Sequence, residues 1–340
     1  MEKKIFTLTK SDIEIYKKNI KIFLPDHIID SHVHLWLKEH ILFKEIKPNN
    51  SFSDFNAFPQ YSFEDFFDIS SEIFQGKKYT GIFFGNPLGQ IDLEKVNKYI
   101  LKLAETGEYC LYIPSPEDKL ESDTFNKIKG FKNFLGFKPY PSLAKKENNE
   151  VSIKEFLGRD VLEYANLKGL FILLHLPRKK RLADYRNIKE IKYLTKKYPD
   201  VKFLLAHLGR SYCLKDIVDV IDQISNIENL FLEISFVNDW EIFELVIRKI
   251  GYKRIIFGSD MPVSLMKGKN ICINDNHYFV TEKLSSWSIS NNEMQLNFTF
   301  FLYEQIREFI KALNKLGLCK DAVLEDVFYG NIKKLIDRLT

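Results

Sequence analysis

The sequence has few cysteines, no long apolar run and no large excess of either charge. Its four cysteines, Cys110, Cys213, Cys272 and Cys319, are far apart and form no paired metal-binding or redox motif. No apolar run approaches the ~20 residues of a membrane-spanning helix, and no apolar signal segment follows Met1. We therefore expect a soluble protein of the reducing cytoplasm, without membrane contacts.

Charge and composition also limit the expected partners. Lys and Arg total 50 against 46 Asp and Glu, and the net charge of +4 is spread along the chain. A nucleic-acid-binding protein would carry a basic stripe with interleaved aromatic residues, so nucleic acid is not expected as a partner. The hydrophobic content of 45%, with 29 Phe and 16 Tyr, is ample for a large core. A small-molecule substrate is the expected partner, and a homodimer is compatible with the sequence.

Short apolar runs alternate with amphipathic helical patterns along most of the chain. Alternating strands and helices imply right-handed crossovers and a parallel sheet. The predicted strands lie near 28–34, 79–85, 108–113, 134–138, 170–175, 201–207, 229–234 and 254–259. The predicted helices cover 92–106, 152–167, 183–198, 214–227 and 240–250, and two terminal helices lie near 294–315 and 321–338.

Two architectures fit this alternation, a closed barrel and an open doubly wound sheet. Polar residues that could form a site fall at the ends of strands 1, 4, 5, 6 and 8. In an open sheet, strands so distributed could not aim at one point, whereas a barrel brings all their C-terminal ends together. The sequence therefore predicts an α/β fold, a (β/α)8 TIM barrel, with one domain spanning 1–340.

Three segments lie outside the strand–helix rhythm. Residues 1–27 are expected to form an N-terminal leader packed on the barrel. The stretches Leu37 to Tyr61 and Met261 to Asn292 are long and polar, and they follow strands 1 and 8. Because loops that follow barrel strands overhang the active-site face, we expect both to act as lids.

The most informative motif is the triplet His32-Val33-His34 at the end of the first strand. Residues two apart in a strand point to the same face, so the two imidazoles leave the strand side by side, close enough to bind one metal ion. His175, His207 and Asp260 recur at the ends of later apolar runs. A single histidine at a strand end is usually a packing residue, but this repetition points to a metal site.

These residues lie within longer motifs that occur in order on successive strands. The motifs are Asp30 to His34, Gly136 to Pro139, Leu173 to His175, Leu204 to Gly209, Phe257 to Pro262 and Tyr329 to Asn331. Together they resemble the amidohydrolase superfamily, specifically its amidohydrolase-related metal-dependent hydrolases and decarboxylases. The resemblance spans roughly Ile28 to Leu335, and it implies a distorted (β/α)8 barrel with a metal at its C-terminal mouth.

The resemblance also implies roles for the site residues. His32 and His34 would bind a divalent metal, with His175 and Asp260 as further ligands. Imidazoles with a carboxylate suit Zn²⁺, and Mn²⁺ or Fe²⁺ are alternatives. A metal such as zinc lowers the pKa of bound water toward ~7, and Asp260 would take its proton as general base. His207 would polarise the substrate carbonyl or act as an acid or base.

Lys138 leaves the number of metal ions open. Some branches of the superfamily carry a carboxylated lysine on strand 4 that bridges two metals, and His175 and His207 would then bind the second ion. Other branches use one metal, and the lysine contacts the substrate. The branch that the chain resembles is mainly of the second kind, so one ion is favoured. A purely structural Lys138, paired with a carboxylate, is the third possibility.

Four further residues are candidates for substrate binding. Arg178 and Arg210 each follow a site histidine by three residues, and a guanidinium there could hold a carboxylate or phosphate. Tyr140 and Trp36 could line the pocket, although ordinary packing explains either equally well. Tyr140 stands where the resembled family often has a histidine, and Pro177-Arg178 replaces smaller residues, so the family's best-known substrates are not implied here. His277, on the second lid, has weaker support.

The sequence thus predicts a metal-dependent hydrolase that uses metal-activated water on a small carbonyl compound, such as an anionic lactone, ester or amide. A non-oxidative decarboxylase with the same metal, and His207 as proton donor, is the nearest alternative. A non-catalytic binding barrel would be expected to have lost some ligands, whereas His32, His34, His175 and Asp260 are all present.

Overall fold

The predicted apolar runs form the strands of a parallel barrel. The structure is a computed structural model, and it describes residues 6–42, 58–87, 91–119, 128, 130–144, 150–282, 288–290 and 297–339. Each strand pairs with the next along the chain, in the order β1 to β8. The strands are β1 (His27–His34), β2 (Lys78–Phe84), β3 (Tyr109–Tyr112), β4 (Phe134–Phe137), β5 (Phe171–Leu174), β6 (Lys202–Leu205), β7 (Leu230–Glu233) and β8 (Ile255–Ile256).

The barrel closes between β8 and β1 through individual hydrogen bonds instead of a regular ladder. Ser31 N donates to the Phe257 carbonyl at 3.1 Å, Asp260 N donates to the His32 carbonyl at 2.9 Å, and His34 N donates to Met261 O at 2.9 Å. The predicted distorted (β/α)8 TIM barrel is confirmed, and the open doubly wound sheet is wrong.

Helices separate most strands, as the periodicity predicts. Gly107 ends its helix in the left-handed region at φ 109°, the backbone conformation that favours glycine at a C-cap. The predicted helix at 214–227 is wrong, because only short 3₁₀ turns form there, at Leu214–Asp216 and Ile221–Gln223. The helices are α1 (Lys10–Ile15), α2 (Phe63–Ile73), α3 (Leu93–Thr106), α4 (Arg159–Lys168), α5 (Tyr185–Lys197), α6 (Trp240–Ile250), α7 (Phe301–Lys315), α8 (Asp321–Glu325) and α9 (Asn331–Ile336).

Alternate strand residues fill two separate apolar layers. Leu174 belongs to the layer between the sheet and the helices, and its neighbour Leu173 belongs to the layer inside the barrel. The same alternation separates Ile28 from Ile29 on β1. Residues of α9, among them Leu335, pack on the inner layer from the end opposite the site. The barrel is therefore filled by side chains below its C-terminal mouth.

The predicted leader contacts the rest of the chain through its described part. Tyr16 donates a hydrogen bond to the Gln75 carbonyl at 3.1 Å. Buried Asp12 accepts from Thr299 at 2.8 Å and pairs with Lys267 at 2.7 Å. The extent of the domain, 1–340, stays a prediction. None of the helices within the described ranges has both the length and the apolar character needed to span a bilayer.

The segment after β8 is not the loop that the sequence predicts. It contains the antiparallel hairpin β9 (Gly268–Ile273) and β10 (Asn276–Thr281), and β11 (Ser288–Ser290) pairs with β10. Asn274 and Asp275 form its turn at φ 49° and 61°, as two-residue hairpins require. The first lid stays a prediction for the most part, because 43–57 lies outside the described residues.

A disulfide joins this hairpin to the turn that follows β6. Cys213 and Cys272 are bonded, with their Cα atoms 5.7 Å apart, whereas Cys110 and Cys319 are free. The cysteines form no paired motif in the sequence, but chain folding brings together two of them that are separated by 59 positions. The disulfide also removes one argument for a reducing compartment.

Candidate active site

Three of the predicted ligands meet at the mouth of the barrel. His32 Nε2 and His34 Nε2 each lie 3.2 Å from Asp260 Oδ1. These three residues form a group whose ligand atoms all lie within 4.8 Å of one another. Residues from β1 and from the end of β8 thus face each other across the seam at which the barrel closes.

Asp30 holds the two sides of that seam together. One of its carboxylate oxygens accepts from His32 N at 3.0 Å and from Ser259 N at 2.8 Å. The other accepts from Tyr79 OH at 2.7 Å. Ser259 immediately precedes Asp260. The buried Asp30 carboxylate therefore fixes the distance between β1, which carries His32 and His34, and Asp260.

The backbone at the mouth is held in an unusual conformation. Asp260, His207, Arg210 and Phe236 all have positive φ, between 55° and 64°. Side-chain-bearing residues rarely adopt this region, and such strain is concentrated at functional sites. The strained residues follow β6, β7 and β8, and this clustering at one end of the barrel supports a site there.

Each imidazole near the centre is oriented by an acceptor on its Nδ1 atom. His32 Nδ1 lies 2.9 Å from Glu233 Oε2, and His34 Nδ1 lies 3.0 Å from the Gly85 carbonyl. His207 Nδ1 lies 3.1 Å from the Ser235 carbonyl. These acceptors select the Nδ1–H tautomer in all three rings, so the Nε2 lone pairs are left for the site.

This donor set fits a divalent metal ion. Within the described residues, His32 Nε2 is buried and has no hydrogen bond of adequate geometry, although Asp260 Oδ1 is 3.2 Å away. Two imidazole lone pairs and a carboxylate oxygen at these distances would repel one another unless a cation or proton lies between them. Nitrogen and oxygen ligands of this kind suit zinc, and a carboxylate on the Nδ1 side of His32 is the usual support for such a ligand.

His207 and His175 extend the site away from this group. His207 Nε2 lies 4.0 Å from Asp260 Oδ2, and its ring centroid is 5.0 Å from that of His32. His175 is one ring further along, with its centroid 5.3 Å from that of His207. His175 is not in the group of ligand atoms within 4.8 Å, so its role as a further metal ligand stays a prediction.

Burial sets most protonation states in the site. It lowers the pKa of His207 to about 4 and that of His175 well below the usual range, so both rings are neutral near pH 7. Burial and Lys138 lower the pKa of His32, but the carboxylates of Asp260 and Glu233 outweigh them and the net shift is upward. Burial would raise the pKa of Asp260, yet His32 and His34 hold it well below its usual range.

Lys138 reaches the site without a polar partner. The side chain is fully buried, and within the described part of the chain its Nζ has no hydrogen-bond partner. Nζ lies 5.4 Å from the ring centre of Phe84 and 5.0 Å from that of Tyr140. Burial lowers the pKa of the amine to about 7. A structural ion pair is therefore not what places Lys138 here.

A cavity of about 390 Å³ opens above these residues. Trp36, Tyr140 and Arg210 line it as predicted for substrate contacts, and Tyr140 OH lies 3.3 Å from His34 Nε2. A groove of about 500 Å³ lies at 22–26 and 321–325, but no histidine lines it. The cavity lining comprises His34, Trp36, Asn86, Pro87, Tyr140, His175, His207, Arg210, Tyr212, Phe236, Asp260, Val263 and Phe279.

Arg178 does not line the cavity, and neither does Lys138, the other predicted substrate contact outside the lining. The Arg178 guanidinium donates to Asn187 Oδ1 and pairs with Glu190 at 2.6 Å, and both partners belong to α5. The side chain is 5% exposed, so it is committed to this buried contact. His277 does not line the cavity; its ring centroid lies 5.2 Å from that of Tyr212, and its Nε2 is 3.0 Å from an Arg181 nitrogen.

Sequence reasoning missed several residues of the site. Glu233 ends β7 and contacts His32, and Ser235 follows it. A carboxylate at the end of an apolar strand was the available signal for Glu233, the same signal that identified Asp260. Tyr212 and Phe279 line the cavity from a turn and from the hairpin, and no local sequence pattern points to either.

Comparisons with known proteins agree with this geometry. The amidohydrolase family model, of the amidohydrolase-2 type, matches residues 126–338. No curated protein matches the chain in sequence.

Several solved structures share the fold at low sequence identity. An amidohydrolase 2 from Bifidobacterium longum subsp. infantis is 14% identical with a TM-score of 0.53, and the match covers 92% of this chain and 99% of that one. An amidohydrolase from Burkholderia multivorans with bound zinc is 11% identical with a TM-score of 0.57, covering 91% and 99%. A Pseudomonas putida protein assigned as a 2-pyrone-4,6-dicarboxylic acid hydrolase is 14% identical with a TM-score of 0.57, covering 93% and 99%.

The family match includes the strands that carry most of the site. Lys138, His175, His207 and Asp260 all lie within residues 126–338. His32 and His34 lie before the matched region, and the barrel brings them to the same mouth. The match, the barrel and the site together lead to one conclusion: the chain belongs to the amidohydrolase-2 family.

Proposed function

We propose that this protein is a metal-dependent hydrolase of small carbonyl compounds that carry an anionic group. One observation carries the proposal above all. His32 Nε2 and His34 Nε2 converge on Asp260 Oδ1 at 3.2 Å, at the wall of a cavity that also holds His207. Such a group of nitrogen and oxygen ligands beside a substrate-sized cavity is what a hydrolytic metal site requires.

His32, His34 and Asp260 would hold the metal, and His175 is the proposed additional ligand. A divalent ion there would lower the pKa of water and polarise the substrate carbonyl. Zn²⁺ is the preferred ion for this donor set, with Mn²⁺ or Fe²⁺ as alternatives. The missing hydrogen-bond partner of His32 Nε2 among the described residues supports this assignment. We favour one ion, with Lys138 as an uncarboxylated substrate contact.

Asp260 and His207 would move the proton that hydrolysis releases. Asp260 Oδ1 faces the two histidines, so Oδ2 is the oxygen that can accept a proton from water. His207 Nε2 lies 4.0 Å from Oδ2 and is neutral near pH 7. It can receive that proton through a small rearrangement and deliver it to the leaving group. Because Nδ1 of His207 faces Ser235, its Nε2 acts first as an acceptor.

The cavity wall opposite this group supports an anionic substrate. Arg210 lines the cavity, and within the described residues its Nε atom has no hydrogen-bond partner while Nη1 donates to the Leu176 carbonyl at 3.1 Å. Arg210 is half-buried, and a guanidinium withdrawn from solvent without a carboxylate partner is stabilised when a ligand supplies the negative charge. Lys138 does not line the cavity, but its Nζ lies 5.0 Å from the ring centre of Tyr140, which does; we propose that a carboxylate or an oxyanion of the substrate reaches it beside that ring.

A substrate panel tests the proposal directly. Zinc-loaded protein would be incubated with lactones, esters and amides, each with and without a carboxylate, and product would be followed by mass spectrometry in H₂¹⁸O. We expect ¹⁸O incorporation into the acid product for the carboxylate-bearing members. The panel would include 2-pyrone-4,6-dicarboxylic acid, which is in the name of one fold relative. Release of CO₂ without uptake of water would instead identify a decarboxylase, and binding without turnover would identify a non-catalytic barrel.

A further inference from the structure

Glu233 is a buried carboxylate with an unusual set of partners. Its Oε2 atom lies 2.9 Å from His32 Nδ1 and accepts from His207 N at 3.2 Å. Ser235 donates to the same carboxylate through its hydroxyl, at 2.8 Å, and through its backbone N–H. Among the described residues, no Lys or Arg pairs with Glu233, so hydrogen bonds from the site itself offset the cost of burying its charge.

The sequence makes room for this carboxylate at Gly258. A Cβ atom at that position would collide with Glu233 Oε1 and would lie only 2.9 Å from His32 Cβ. Glycine therefore allows the end of β7 to approach the β1–β8 seam closely. Because Gly258 and Asp260 belong to the same short motif, the motif accommodates Glu233 as well as supplying the aspartate.

Ser235 connects the carboxylate to the second histidine. Its Oγ lies 2.8 Å from Glu233 Oε2, 2.9 Å from His207 Nδ1 and 3.3 Å from His32 Nδ1. A hydroxyl has one proton to donate. If that proton goes to the carboxylate, the oxygen must accept from His207 Nδ1–H, and His207 Nε2 is left as a bare acceptor facing Asp260.

We propose that Glu233 and Ser235 are positioning residues that fix the tautomers of His32 and His207 together. The Glu233 carboxylate would then orient both His32, a proposed metal ligand, and, through Ser235, His207, the proposed proton-transfer residue. The inference rests on the proposed function for its catalytic meaning. The tautomers and orientations that it assigns to the His32 and His207 rings do not depend on which reaction is catalysed.

The two residues have separable effects. Glu233→Gln removes the charged acceptor from His32, and losing such a partner typically lowers metal affinity about 10–100-fold. Ser235→Ala leaves the bond between His32 and Glu233 in place and removes one of two acceptors from His207 Nδ1. We therefore expect Ser235→Ala to keep the metal affinity while lowering kcat more than it changes KM. Ser235→Thr, which keeps the hydroxyl, should restore kcat.

The experiment uses the full-length protein and two readouts. Zinc affinity would be measured by competition with a chromogenic chelator, and ring tautomers by long-range ¹H–¹⁵N spectra of ¹⁵N-histidine-labelled protein, assigned with single His→Gln variants. Thermal melts would show that each variant is folded. We expect Nδ1–H signals for His32 and His207 in the wild type and weaker zinc binding only in Glu233→Gln. In Ser235→Ala the Ser235 carbonyl still accepts from His207 Nδ1, so we expect a larger Nε2–H fraction for His207 than in the wild type, not a complete switch of tautomer.

Other results would overturn the inference. Unchanged zinc affinity and unchanged tautomers in a folded Glu233→Gln variant would show that Glu233 serves packing alone. An Nε2–H signal from the neutral His207 ring in the wild type would contradict the inference directly. If the wild type bound no zinc, the proposed function would fail, while the tautomer spectra of the metal-free protein would still decide the positioning role.

Discussion

The two sides of the barrel mouth are prepared in different ways. On the side of β1, β7 and β8, hydrogen bonds orient the polar groups: His32 Nδ1 lies 2.9 Å from Glu233 Oε2, and Ser235 Oγ donates to the same oxygen at 2.8 Å. On the side of β4 and of the turn after β6, Lys138 Nζ and Arg210 Nε have no hydrogen-bond partner within the described residues. The first side is organised before any ligand arrives, as the proposed metal centre requires, and the second leaves two nitrogen donors for a ligand.

Asp260→Asn, on the organised side, should have the largest effect. An amide cannot accept the proton from water, so we expect kcat to fall by about 10²–10⁴-fold and the zinc content to drop. Steady-state kinetics and elemental analysis would measure both. His27→Gln is the control, because His27 is exposed at the far end of β1, the strand that carries His32 and His34. Full activity in Asp260→Asn would show that Asp260 is not the general base and that the β1, β7 and β8 side of the mouth only binds ligands.

Removal of the disulfide should weaken the wall that the hairpin provides. We expect the double variant Cys213→Ser, Cys272→Ser to lose about 2–4 kcal/mol in the free energy of unfolding, because the unfolded chain is no longer cross-linked. Urea denaturation would measure the loss, and Cys319→Ser, which removes a free thiol, should leave stability unchanged. Zinc content should stay the same, since hydrogen bonds across the β1–β8 seam hold the proposed ligands His32, His34 and Asp260 in place; a metal-free double variant would contradict this expectation.

Arg210→Gln tests the side that is left for a ligand. Losing a hydrogen bond to a charged group costs about 1.5–3 kcal/mol, so kcat/KM for carboxylate-bearing substrates should fall by about 10–100-fold, mostly through KM. Neutral analogues should be little affected. Arg178→Gln is a matched control, because that side chain is held by Asn187 and Glu190. Arg178→Gln should lower stability and leave KM unchanged. If Arg178→Gln raised KM and Arg210→Gln did not, Arg178 and not Arg210 would be the residue that binds the substrate carboxylate.

Lys138 should make the free energy of unfolding depend on pH in the alkaline range. Its pKa falls from 10.5 to about 7 on folding, so between these values the unfolded chain binds a proton that the folded protein has released. The free energy of unfolding should therefore rise with pH in this window, by at most about 1.4 kcal/mol per pH unit. Denaturation series at pH 7 to 10 would show the slope in the metal-free wild type. Lys138→Met should reduce it, and an equal slope in both proteins would contradict the assignment.

Regular patterns made the barrel and its metal group predictable. The period of two on β1 places His32 and His34 on one face, and parallel strands bring Asp260 to the same end. These inferences need only repeating geometry. The shape of the barrel follows from the same alternation of strands and helices.

Residues whose role depends on long-range contacts were not predictable. Arg178 and Arg210 follow their histidines at the same spacing, but α5 offers partners to Arg178 alone. The position of Glu233 at the end of β7 was a signal that the residue belongs to the site, but its partner, His32, appears only when folding places the two side by side. Cys213 and Cys272 are 59 residues apart, and neither has a local motif that indicates its partner.

The disulfide also turns part of the chain into a covalent ring. The stretch from Cys213 to Cys272 contains β7 and β8, and therefore Glu233 and Asp260. A protease that cuts once inside this stretch would leave two fragments still linked. Electrophoresis of such a nicked sample would show one band without a thiol and two bands with it, so the two site residues would remain tethered after the backbone between them is broken.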